Sequence, residues 1–162
     1  MLGLVVAVSG SLVGLAGSAF EELLTGGIVG PWVAAPIIEE ALKPSGVYLL
    51  LAKWPRAVAG RFYPAVVSAL AGLTFGLVEN VVYLSVYFPH HSHEMVMVRY
   101  TAGLALHTTA SFVFGLGINQ KLIAAARGET PLFASNKRFF IAAIGLHSAY
   151  NIAVTVLYHD LH

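Results

Sequence analysis

Eight polar side chains interrupt stretches that are otherwise apolar: Glu39, Glu40 and Lys43 in PIIEEALKP, Glu79 and Asn80 in FGLVEN, an isolated His107, and His147 and Asn151 in HSAYN. Ionisable groups inside membrane-spanning segments are expensive, so they mark function by default. Taken singly, each has a structural role open to it. A membrane histidine can hydrogen-bond between helices, Glu40 can form an ion pair with Lys43, and asparagines can join neighbouring helices. Taken as a set, they permit hydrolysis without a serine or cysteine nucleophile. A carboxylate held away from bulk solvent can act as general base on a water molecule. A second carboxylate or an imidazole can orient that water, and His and Asn can donate to the oxyanion of a tetrahedral intermediate. The same groups could instead hold zinc, which accepts His nitrogen and carboxylate oxygen. Two further chemistries use the same residues: a proton relay in a coupled transporter, and haem ligation by His107 and His147 from two helices.

Composition narrows the setting in which this chemistry operates. Of 162 residues, 57% are hydrophobic and 10% charged, and the mean hydropathy is +0.77, which suits a protein dissolved in lipid rather than water. The net charge of +1 and the scattered basic residues give no footprint for nucleic acid. The absence of cysteine excludes disulfides, thiolate nucleophiles and cysteine zinc sites.

Five windows are long and apolar enough to cross a bilayer as helices, near 2–20, 28–52, 62–88, 97–124 and 138–158. The expected fold is therefore all-α, a polytopic transmembrane helical bundle of about five helices forming a single domain over 1–162. Short connections with turn residues separate the windows: EELLTGG, KWPRAVAGR, FPHHSHE and ARGETPLFASNKR. Of nine Lys and Arg, seven (Lys53, Arg56, Arg61, Lys121, Arg127, Lys137 and Arg138) fall on one side, Arg99 falls on the other, and Lys43 lies within a span. The positive-inside rule then places the amino terminus in the cytoplasm and the carboxyl terminus outside. GSAF near Phe20 has the small residues of a signal-peptide cleavage site, but no basic residue precedes the apolar run, which favours a retained helix.

Small residues recur at helical spacing: Gly10, Gly14 and Gly17 in the first window, Ser68, Gly72 and Gly76 in the third, Gly103, Ser111 and Gly115 in the fourth. Such faces let membrane helices approach closely. At 1.5 Å per residue, Glu40, Glu79, His107 and His147 lie about 18, 14, 12 to 15 and 17 Å from the outer ends of their helices, one layer slightly outward of the midplane. Adjacent Glu39 and Glu40 point about 100° apart, so one is expected to face the bundle centre and the other to pair with Lys43. Pro36 and Pro44 each remove a backbone hydrogen bond and should bend the second helix where water could enter. Ser111 and Thr108 read as packing groups. The loop histidines His90, His91 and His93 read as solvated, as do Glu21, Glu22, His159 and Asp160 at span ends.

EEALK (Glu39, Glu40, Lys43), FGLVEN (Phe75, Glu79, Asn80), His107 followed by Gly115, and HSAYN (His147, Asn151) resemble, in order, the motifs of the PrsW-type intramembrane proteases. That family is similar to the type II CAAX prenyl endopeptidases. The resemblance covers about residues 30 to 155. It implies that Glu39 activates the hydrolytic water, that Glu40 supports the site with Lys43 and Asn80, and that His147 and Asn151 form the oxyanion site. Two departures from the CAAX pattern argue against a prenyl substrate: Lys43 at the third position after Glu40 instead of an Arg at the fourth, and Glu79 where FxxxH has His. Water orientation falls to Glu79 or His107. The resemblance also implies a membrane-anchored protein substrate such as an anti-sigma factor, cut near the outer face of a cell membrane. No cofactor is required by this chemistry, and if zinc is present its expected ligands are Glu79, His107 and His147.

Overall fold

The computed structural model describes residues 2–24, 30–58, 60, 62–131 and 136–157, and among these the secondary structure is helical throughout. The order is α1 (Leu2–Leu24), a π-helical turn (Gly30–Ala34), α2 (Ala35–Leu42), α3 (Ser45–Lys53), a 3₁₀ turn (Pro55–Val58) and α4 (Tyr63–Val82), which continues into a second π turn (Tyr83–Tyr87). Then come α5 (His93–Val98), a third π turn (Arg99–Gly103), α6 (Leu104–Leu116), α7 (Gln120–Ala126) and α8 (Lys137–Leu157). Arg61, His159 and Asp160 and the side chains of Glu21 and Glu22 lie outside the described residues, while GSAF falls inside α1.

The two prolines act differently from one another. Pro44 cannot donate a backbone hydrogen bond, and α2 gives way to α3 across Lys43 and Pro44. Pro36 follows directly on the Gly30–Ala34 π turn, whose last residue Ala34 is itself in helical conformation; its missing N–H leaves a carbonyl of that turn without a helical donor, and the helix widens there rather than breaking. The fourth window is also redrawn. Its helix begins at His93 and turns by 103° between Leu116 and Gln120, where Asn119 caps α7 by accepting from the amides of Lys121 and Leu122. Among the described residues, Tyr63–Tyr87 and Lys137–Leu157 can each cross a membrane by length and composition, and the bent pair adds a third candidate. α1 runs for 23 residues and is apolar over Gly3–Gly17, while the second window is broken at Pro44.

Burial is the inverse of that in a soluble domain. Glu39, Glu40, Lys43, Ser68, Asn80, His107, Ser111 and His147 are buried, whereas Val13, Leu49, Val66, Val81, Ile141 and Val156 are exposed. Water would reverse that pattern, and hydrocarbon around the bundle accounts for it. On one side of the polar layer an apolar core joins Val47, Leu50 and Leu51 of α3 to Val67 of α4, Phe114 of α6 and Leu122 of α7.

Glycines set how near the helices come. Gly72 of α4 abuts Ser111 and the His107 carbonyl, and a Cβ on Gly76 would stand 2.8 Å from Cδ2 of the His107 ring. α1 crosses α3 with Gly10 on the Gly46 backbone, and a Cβ on Gly46 would meet the Ala7 carbonyl oxygen at 2.6 Å and its Cα at 2.7 Å. Backbone cannot give way as a side-chain tip can. Gly46→Val is therefore expected to lower stability by about 1–3 kcal/mol through overpacking. Gly145→Ala, whose Cβ would meet nothing within 4 Å, should be neutral or gain about 0.5–1 kcal/mol of helix propensity. Thermal unfolding of both variants in detergent checks the pair.

Candidate active site

α2 and the residue that caps its carboxyl end contribute three site residues within five positions: Glu39, Glu40 and Lys43. The ammonium of Lys43 has three N–H groups and three partners: Glu40 Oε1 at 2.7 Å, His107 Nδ1 at 2.8 Å and Glu39 Oε2 at 3.1 Å. The expectation that only one carboxylate would meet Lys43 is corrected here. Glu39 and Glu40 are four and three residues before Lys43, both within reach of a long side chain folded back over the preceding turn. The ammonium also lies 4.4 Å from the centre of the Phe75 ring.

The two histidines arrive from α6 and α8. Because Lys43 can only donate, His107 Nδ1 must accept, which places its proton on Nε2; that nitrogen donates to Glu79 Oε2 at 2.9 Å. His147 Nδ1 lies 2.9 Å from Glu40 Oε1, the same oxygen that accepts from Lys43, so Nδ1 is the donor. In the neutral imidazole the lone pair is then on Nε2, which faces Glu39 Oε2 at 3.7 Å. The rings meet edge to face with centroids 5.2 Å apart. Rings in direct contact cannot have a porphyrin between them, so the haem alternative fails on geometry.

Arg99, whose charge lies on the opposite side of the chain from the other loop cations, is also a site residue. Its Nη2 donates to Glu79 Oε2 at 3.1 Å, its Nε donates to Asn80 Oδ1 at 3.1 Å, and its guanidinium carbon lies 3.6 Å from the centre of the Tyr83 ring. One signal was available: Arg99 precedes His107 by eight residues, a spacing that keeps both within one broad helical stripe. The side chains of Arg99 and Glu79 are 18% and 16% exposed, against 6% or less for Glu39, Glu40, Lys43, His107 and His147. The site therefore opens past Glu79 and Arg99.

The two asparagines bond to irregular backbone. Asn80 Nδ2 donates to the Arg99 carbonyl at 3.0 Å and Asn151 Nδ2 to the Pro31 carbonyl at 2.7 Å, each in a π turn. Widened turns disturb the regular ladder of backbone bonds, and at membrane depth neighbouring side chains re-satisfy them. Asn151 is thus one turn from His147 on α8 but reaches toward the Gly30–Ala34 turn, while Trp32 Nε1 beside it donates to Thr155 Oγ1 at 3.2 Å. Ser111 packs on Gly72, and Thr108 Oγ1 returns its proton to the Leu104 carbonyl at 2.7 Å. His91 bonds the Phe88 carbonyl in an exposed turn.

Among the described residues, one group can gather on a metal ion: Glu39, His107 and His147, whose ligand atoms all lie within 4.8 Å of one another. This corrects the expected set of Glu79, His107 and His147. Glu79 Oε2 is taken by His107 Nε2 and Arg99, so it sits behind the histidine rather than beside it. The donor chemistry fits zinc, with two imidazole nitrogens and one carboxylate oxygen. The outer partners fit as well. Glu79 holds the far nitrogen of His107 and Glu40 that of His147, the carboxylate–histidine arrangement that orients metal-binding imidazoles.

Neither a curated protein nor a solved structure matches the chain. A family model described as PrsW family intramembrane metalloprotease matches residues 1–161. With four helices converging their carboxylates and imidazoles on one buried layer and that match covering nearly its whole length, the chain belongs to the PrsW family of intramembrane metalloproteases.

Proposed function

We propose that this membrane peptidase hydrolyses a peptide bond of a membrane-anchored protein near the outer leaflet, with Glu39 as the base. The observation that carries this reading is the approach of Glu39 Oε2 to His147 Nε2 at 3.7 Å. Glu39 Oε2, beyond its pairing with Lys43, keeps a further lone pair, and a water giving one hydrogen to it and one to His147 Nε2 keeps its own lone pair for the substrate. Glu39 takes one proton as the water oxygen adds to the scissile carbonyl carbon. The oxyanion draws on the second amide hydrogen of Asn151, whose first is engaged by Pro31. The proton held on Glu39 then passes to the amide nitrogen as the C–N bond breaks, leaving one new carboxyl and one new amino terminus. A divalent ion bound by Glu39, His107 and His147 would take over the His147 Nε2 lone pair and supply a Lewis acid to a water in its own coordination shell.

The outward position follows from charge. Lys53, Arg56, Lys121, Arg127, Lys137 and Arg138 mark the cytoplasmic side, which turns the Arg99 and Glu79 opening toward the outer leaflet and the amino terminus toward the cytoplasm. A regulatory protein with one span, of the anti-sigma-factor kind, is the class of substrate this opening suits; its other contacts are with lipid.

Vesicles containing the protein and a single-span polypeptide test the reading. The expected product begins at a residue in the outer third of the substrate's span, found by mass spectrometry. No cleavage, or a cut on the cytoplasmic side, overturns it.

A further inference from the structure

The Lys43 ammonium rests on the same atoms that a metal ion needs. His107 Nε2 is committed to Glu79 and His147 Nδ1 to Glu40, which leaves His107 Nδ1, His147 Nε2 and a Glu39 oxygen as the possible ligand atoms. Lys43 Nζ lies 2.8 Å from the first of these and 3.1 Å from Glu39 Oε2. An ammonium and a divalent ion cannot both occupy hydrogen-bonding and coordination distance of one nitrogen lone pair. Charge points the same way. At formal values Glu39, Glu40 and Glu79 against Lys43 and Arg99 leave one net negative charge, so a divalent ion added beside an undisplaced Lys43 would crowd two cations onto the same oxygen.

We propose that Lys43 is a built-in competitor for the metal site, filling it with an ammonium until a divalent ion displaces that ammonium from Glu39 and His107. Glu40 retains the displaced group, since Glu40 Oε1 is its nearest partner at 2.7 Å and is not one of the metal-facing atoms. The metal affinity of the chain is therefore set by Lys43 as much as by its ligands, and the site responds to the level of free metal. This inference rests on the metal-capable site described above.

The test is a titration of the whole protein in detergent with Co²⁺ alone, followed by visible absorption and by elemental analysis after dialysis. Lys43→Met, neutral and of similar length, is expected to bind Co²⁺ at least tenfold more tightly than wild type, and Lys43→Arg no more tightly than wild type. Equal or weaker binding by Lys43→Met overturns the proposal, as does failure of both proteins to take up Co²⁺. A second measurement needs no variant. In wild type carrying ¹⁵N-lysine and ¹⁵N-histidine, saturating Zn²⁺ should shift the Lys43 Nζ resonance together with His107 Nδ1, and an unmoved Lys43 signal at full occupancy refutes displacement. Both readouts are independent of proteolysis, so loss of this proposal leaves the peptidase reading to its own cleavage assay.

Discussion

Glu39→Gln is expected to reduce kcat for cleavage of a membrane-tethered substrate by about 10²–10⁴-fold, the usual worth of a positioned general base. The substitution preserves shape and removes the ability to take a proton from water. Lys43 keeps Glu40 and His107 as partners, so the fold should survive, and the melting temperature in detergent should stay close to that of wild type. The loss should appear in kcat rather than KM, because Glu39, buried at 4% exposed, acts on the water as the transition state forms. Wild-type turnover by a folded Glu39→Gln protein would remove Glu39 from the chemistry. Activity lost together with folding would be caught by the melting curve.

Glu40→Ala is expected to act on stability instead. Glu40 is buried, and one of its oxygens accepts from both Lys43 and His147. Deleting it leaves an ammonium and an imidazole N–H in a site with little water, and breaking a buried ion pair by removing one partner costs about 3–5 kcal/mol. Unfolding of Glu40→Ala should therefore begin well below that of wild type, or the protein should fail to accumulate in the membrane. Glu40→Gln separates the roles: it retains an oxygen for Lys43, and as a partner that orients His147 its loss should cost about 10–100-fold in activity. If Glu40→Ala melts with wild-type stability, the Lys43 interaction network is not what holds α2 against α6 and α8.

Several features could be read from residue order because they depend on spacing within one helix. The all-helical bundle follows from apolar windows longer than a bilayer is thick, and the close-packing faces from glycines three and four apart, as Gly72 and Gly76 against His107 and Ser111 bear out. The convergence of Glu39, Glu40, Glu79, His107 and His147 follows from counting rise along each window to a common depth. Where each helix breaks was less legible. The same proline chemistry widens the helix before Pro36 into a π turn and ends α2 before Pro44, and the turn after Leu116 depends on a cap at Asn119 as well as on Gly117.

The sequence by itself determined that this chain is a helical membrane protein with ionisable groups gathered at one depth, because hydropathy and helical rise act along the chain and need no partner. Only the tertiary structure decided which oxygen meets which nitrogen. Lys43 bridges both carboxylates of PIIEEALKP and reaches His107, Arg99 leaves the loop charges to hold Glu79, and Glu39 replaces Glu79 in the group that can bind metal. Those choices rest on angles around helices and on the distance between them, which glycine contacts across α4 and α6 set to a few ångströms. A shift of one residue's worth of rotation, about 100°, would give the same composition at the same depth with a different set of partners.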